Sequence, residues 1–205
     1  MKSNQLELKR LRKKALFLSY FTVGYNILEG AVSIFAGVLA GSIALLGFGL
    51  DSFVESLSGG VMIWRFHQHK DLSEEEEEKL EKRATRLVAC TFFILGAYIL
   101  YESVKKLLVR EIPEPSIIGM AVAVASIIVM PVLFAMKYRT GLQLKSKSLI
   151  ADSKETLACL FLSIALFVGL GMNYQFGFWQ ADPIVGLIVV VFLSREGYEI
   201  LTEKD

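Results

Sequence analysis

Six blocks of about 20 mostly apolar residues divide the chain, each long enough to cross roughly 30 Å of hydrocarbon as a helix. They run Ala15–Leu39, Ser42–Trp64, Leu87–Leu107, Ser116–Met136, Ser148–Met172 and Pro183–Leu201. Backbone polar groups in lipid must find partners within their own segment, so blocks of this kind fold as helices. Apolar residues make up 54% of the 205, and the excess over a soluble domain is gathered in these blocks. The expected architecture is therefore an all-α integral membrane protein with six transmembrane helices. Residues 1–205 then form a single transmembrane domain, and its longest polar connection covers about 65–86. A secretory signal is the competing reading of the start. Ala15–Ala40 is too long for its apolar core and carries Asn26 and Glu29.

Lysine and arginine set the orientation. The N-terminal arm and the second and fourth connections hold sixteen of them, Lys137 and Arg139 included. The third connection holds Lys105, Lys106 and Arg110. Both termini are expected on the cytoplasmic side. Net charge is +1, which argues against a nucleic-acid partner, since that would need a clustered basic surface. Cys90 and Cys159 both lie in apolar blocks and make no disulfide framework. Pro131 should kink the fourth span. Gly37 and Gly41 read as a turn rather than a helix-pairing motif, and Tyr174, Phe176, Phe178 and Trp179 read as an interfacial belt.

The informative residues are the acids inside the spans, because each costs a few kcal/mol to insert and marks function by default. Asp51 and Glu55 share one face of the second span, roughly 21 and 15 Å from its cytoplasmic end at Arg65. The fifth span carries Asp152, Glu155 and Cys159 on one face, with Glu155 and Cys159 roughly 10 and 16 Å in from Ser148. The spans run antiparallel, so Glu55 meets the level of Glu155, and Cys159 that of Asp51. Two such pairs on facing helices make a four-ligand cage within a bundle. Three carboxylates and a thiol suit a tetrahedral divalent cation, and zinc is the usual occupant of such closed sites. Crowded carboxylates in a low dielectric hold protons that an arriving dication displaces, so metal-for-proton exchange is built into the arrangement.

Other assignments stay open. Asp152 with Thr156 is a second possible register on the fifth span, and Lys154 is a conceivable ion-pair partner for Asp51 or Glu55. Glu29, Asn26 and Asp182 could line an access path, or serve as helix-to-helix hydrogen bonds and, for Asp182, as an N-cap. His67, His69, Asp71 and the run Glu74–Glu78 form either a loop metal site or a solvated charge run. An enzyme is not expected, because neither histidine lies in a span and no nucleophile–base set can be assembled there. The alternative to a transporter is a membrane subunit whose acids only pair helices.

At these residues the chain resembles the cation diffusion facilitator family of divalent-metal/proton antiporters. The resemblance runs through Tyr25–Gly30, Gly41–Leu46 leading to Asp51 and Glu55, and Glu102–Lys106 with the Pro113–Pro115 turn. It continues through Ala151–Asp152 with Glu155 and Cys159, to Ala181–Pro183. It implies export of a divalent cation from the cytoplasm by proton antiport, with Asp51, Glu55, Glu155 and Cys159 as ligands and Asp152 in second rank. Zinc is the first candidate, ahead of cadmium, cobalt, manganese and iron(II), and no resident cofactor is implied. The resemblance alone implies a homodimer. Glu55 stands where the family has aspartate, and Glu155 and Cys159 where it has histidine and aspartate, so metal preference does not carry over. The chain reads as a short, membrane-only member lacking the family's cytoplasmic C-terminal domain.

Overall fold

A computed structural model of the protein describes residues 2–67, 90, 93, 94 and 96–202. All regular structure among the described residues is helical: α1 (Lys2–Ala40), α2 (Ile43–His67), α3 (described over 96–109), α4 (Ile117–Leu144), α5 (Lys147–Phe176) and α6 (Ala181–Thr202). Of these, α1, α4 and α5 are each long and apolar enough to cross a membrane by length and composition. Acids and serines dilute the apolar character of α2, and Arg195, Glu196 and Glu199 that of the last turns of α6.

Side chains are distributed inside-out relative to a water-soluble bundle. Ser19, Thr22, Asn26, Glu29 and Ser33 of α1 are all buried, whereas Leu28, Phe35, Ile128, Phe161 and Val191 are exposed. The buried five follow a three-four spacing, which gives α1 one polar stripe facing its neighbours. A lipid environment rewards this arrangement, since water no longer drives apolar faces together and polar groups join helices instead.

Two tight hairpins organise the bundle. Gly41 closes the first between α1 and α2 at φ 61°, a left-handed conformation that a Cβ would strain. The second closes where Lys145 ends α4 at φ 53° and Ser146 caps α5 through the Leu149 amide at 3.4 Å. It follows that α4 extends two turns past the expected end at Met136, and that Lys137 and Arg139 are helical residues rather than connection residues. Pro131 lies inside α4, which continues as helix on both sides of it. The α1–α2 hairpin packs through α1 on α4 and through α2 on α5 and α6, while α5 also packs on α6. Ile99 of α3 is fully buried and touches the Gly47 position of α2.

Close approach of α1 and α2 depends on Gly30 and Gly49. A Cβ on Gly30 would lie 2.8 Å from the Gly49 carbonyl oxygen, and one on Gly49 would lie 2.9 Å from that of Gly30. Backbone atoms cannot step aside as a side chain can. Gly49→Ala is therefore expected to lower stability by about 1–3 kcal/mol through overpacking. Thermal unfolding in detergent measures this, and an unchanged midpoint would show that the two helices can separate freely.

Candidate cation site

The α1–α2 hairpin is anchored at the end of the bundle opposite the basic N-terminal arm. Asp182, in the first turn of α6, caps α2 rather than only its own helix. Its carboxylate accepts hydrogen bonds from the Ser42 hydroxyl, the Ile43 amide at 3.0 Å and the Ala44 amide at 3.4 Å. Lys106 lies 3.7 Å from the same carboxylate and donates to the Gly41 carbonyl. Asp182 thus clamps the start of α2 to α6 and Lys106. This clamp and the Gly30–Gly49 approach fix the register of α2 and with it the positions of Asp51 and Glu55.

The i, i+4 spacing turns Asp51 and Glu55 towards α5, where they share a cavity of about 20 Å³ with Glu155, Ala158, Leu162, Phe192 and Leu193. A volume of that size admits one water-sized species, given roughly 10–15 Å³ for a single water. Three carboxylates from two facing helices thus line one small chamber, closed on its third side by apolar residues of α6. Glu55 Oε2 and Glu155 Oε2 are buried without a hydrogen-bond partner among the described residues. Buried acceptors left in this state cost free energy that a bound cation would recover. Cys159 is fully buried with its thiol beside Glu55. Glu55 lies at the level expected from antiparallel spans, since Thr156, next to Glu155, donates to it at 2.7 Å.

The four candidate ligands nevertheless do not form a closed shell. Among the described residues, no group of three or more His, Cys, Asp or Glu side chains is arranged around one point that a metal ion would occupy. A buried cation lies on the other side of Glu55. Lys137 of α4 is completely buried, with its ammonium 2.9 Å from Asp152 Oδ2, 2.9 Å from Thr156 Oγ1 and 4.0 Å from Glu55 Oε1. Lys137 and Thr156 thus both address Oε1 of Glu55. Asp152 faces Lys137 and does not line the cavity.

Lys137 is the buried charge that sequence reasoning missed, by counting it with the basic residues of a connection. A usable signal was present. Ala123, Ser126, Met130, Leu133 and Lys137 follow a three-four spacing that puts Lys137 on the buried face of α4. Lys154, the partner considered for the acids, is exposed. Of the second register on α5, Asp152 meets Lys137, and Thr156 bonds both Lys137 and Glu55, while Glu155 lines the cavity.

A second buried polar group lies where α1 meets α2 and α4. Glu29 Oε2 accepts from Ser52 at 2.9 Å, and Ser163 bonds Ser126 at 2.8 Å. Asn26 is fully buried with no partner among the described residues for its amide oxygen or nitrogen. Glu29 and Asn26 do not line the cavity of Asp51 and Glu155. In the second connection, His69, Asp71 and Glu74–Glu78 lie outside the described residues, and only the backbone of His67 is described, at the end of α2.

Sequence comparison places this geometry in a known context. Residues 19–204 match the family described as "Cation efflux transmembrane domain". The chain belongs to that family. It is a multi-pass membrane protein and a metal-cation transporter by membership. Transmembrane protein 163 of Xenopus laevis is 22% identical over 198 residues, covering 96% of this chain and 69% of the relative. An uncharacterized transporter of Methanocaldococcus jannaschii is 27% identical over 201 residues, covering 94% and 69% respectively. The manganese efflux system protein MneS of Bacillus subtilis is 18% identical over 203 residues, covering 97% and 68%.

Proposed function

We propose that this cation-efflux protein exports a divalent cation, zinc in the first place, from the cytoplasm in exchange for protons. The observation that carries the reading is the chamber between α2 and α5 lined by Asp51, Glu55 and Glu155, with Cys159 beside it. Carboxylates hold divalent cations through oxygen, and a thiolate adds preference for softer ions such as zinc and cadmium. The chain is read as a transporter and not an enzyme, with both termini cytoplasmic by the lysine and arginine bias. Movement of helices around a fixed midplane site would expose it to each side in turn. Protons are the natural counter-ion, because the carboxylates that release the cation are the groups that then bind them.

Metal-driven proton movement in proteoliposomes tests this, with a pH dye inside and zinc, cadmium, cobalt, manganese and iron(II) supplied in turn. Metal-dependent proton flux establishes antiport and ranks the substrates. Absence of flux with every metal, from folded protein, would favour the rival reading of a subunit whose acids only pair helices. The Lys137–Asp152 ion pair is the observation that favours that rival.

Metal choice has its own test, since one relative is named for manganese efflux. Cys159→Ser replaces a soft donor with a hard one of similar size. The expected outcome is a fall of about tenfold or more in zinc and cadmium affinity relative to manganese. Equal effects on all three metals would remove Cys159 from the ligand set.

A further inference from the structure

A fully buried lysine beside a carboxylate-lined cation chamber needs an account beyond helix pairing. Lys137 holds Asp152 directly, reaches Thr156 at the same 2.9 Å, and through the Thr156 hydroxyl engages Oε1 of Glu55. The acids and Thr156 come from α2 and α5, and the ammonium comes from α4. A dication that draws both oxygens of Glu55 into its shell must take one of them from Thr156 and Lys137. The ammonium and the cargo are both cations and both address Glu55.

We propose that Lys137 is an affinity-setting residue, a tethered cation that competes with the transported metal ion for Glu55. Asp152 is its counter-charge and holds it partly off the site. This rests on the reading of Asp51, Glu55 and Glu155 as the cation chamber. With the ammonium in place, the site binds cargo weakly enough to release it on the far side. Without it, a dication meets uncompensated carboxylates, stays bound longer, and turns over more slowly.

The test uses the full chain, purified in detergent for zinc and manganese titrations and reconstituted in proteoliposomes for flux. Lys137→Met keeps the side-chain length and removes the charge. Its expected result is metal binding tightened by about tenfold or more, as removal of one nearby like charge implies, with KM and kcat both lowered. Lys137→Arg keeps the charge and should stay within about threefold of the original affinity. Asp152→Asn leaves the ammonium uncompensated and should weaken binding, the opposite direction.

The double variant Lys137→Met with Asp152→Asn separates counter-charge from ligand. It binds as tightly as Lys137→Met if Asp152 acts only through Lys137, and stays weak if Asp152 itself holds the metal, which would overturn the assignment. A merely structural lysine would lower folded yield in all variants and leave Kd, KM and kcat of the folded fraction unchanged. That result overturns the proposal while the chamber stands, provided that the unaltered protein binds and moves metal. Failure of the unaltered protein to bind either metal removes the chamber and the proposal together. Should Lys137→Met not fold, Asp152→Asn decides by itself: unchanged or tighter binding overturns the competition.

Discussion

Changing Asp51 to asparagine is expected to bring metal-driven transport to background while leaving the bundle folded. Asparagine keeps the size of the side chain and removes its charge, on a wall of the chamber shared with Glu55 and Glu155. Removing a hydrogen-bond partner behind a metal ligand commonly costs 10–100-fold, so loss of a ligand is expected to cost about 100-fold or more. Lys137 keeps its contacts with Asp152 and Thr156, so the effect falls on the site and not on the network behind it. Proteoliposome flux gives the rate, and size-exclusion profiles with thermal unfolding give the folded fraction. Glu55→Gln should behave alike in transport, with an added loss of stability because the Lys137 ammonium loses a buried charge near it.

The second large effect is on stability. Asp182→Ala removes three hydrogen bonds at the start of α2 and leaves Lys106 buried without its carboxylate. Breaking a buried pair from one side costs about 3–5 kcal/mol, and a lost helix cap adds about 1 kcal/mol. Thermal unfolding in detergent should show a large drop, and transport should fall with the folded fraction. Asp182→Asn keeps an acceptor for the amides and should lose less. A normal unfolding midpoint for Asp182→Ala would contradict the clamp, and would return Asp182 to the access path considered from sequence.

The apolar blocks were sufficient to place the described helices, the start of the third span at Leu87 lying outside the described residues, because in lipid the backbone leaves little alternative to helix. They could not place helix ends, since caps and basic turns continue a helix past its apolar stretch. That is why α4 runs to Leu144 and carries Lys137 inward. The pairing of α2 with α5 was legible for a similar reason. Acids four apart define a face, antiparallel spans define a level, and Glu55 does meet Thr156.

What the acids could not reveal was their division of labour. Asp152 and Glu155 are three residues apart on α5, yet one meets Lys137 and the other lines the cavity. Which side each takes depends on the placement of α4 against α5, and nothing local to α5 encodes that. Asp182 shows the same limit. Its sequence context marks the start of α6, while its carboxylate serves the start of α2, more than a hundred residues earlier.

X-ray absorption at the zinc edge, on zinc-loaded protein carrying Cys90→Ser, tests the chamber most directly. The predicted shell is carboxylate oxygen at about 2.0–2.2 Å with one sulfur at about 2.3 Å, the sulfur lost in Cys159→Ser. A shell with imidazole scattering and no sulfur would place the ion on His67 and His69, and would contradict a site between α2 and α5.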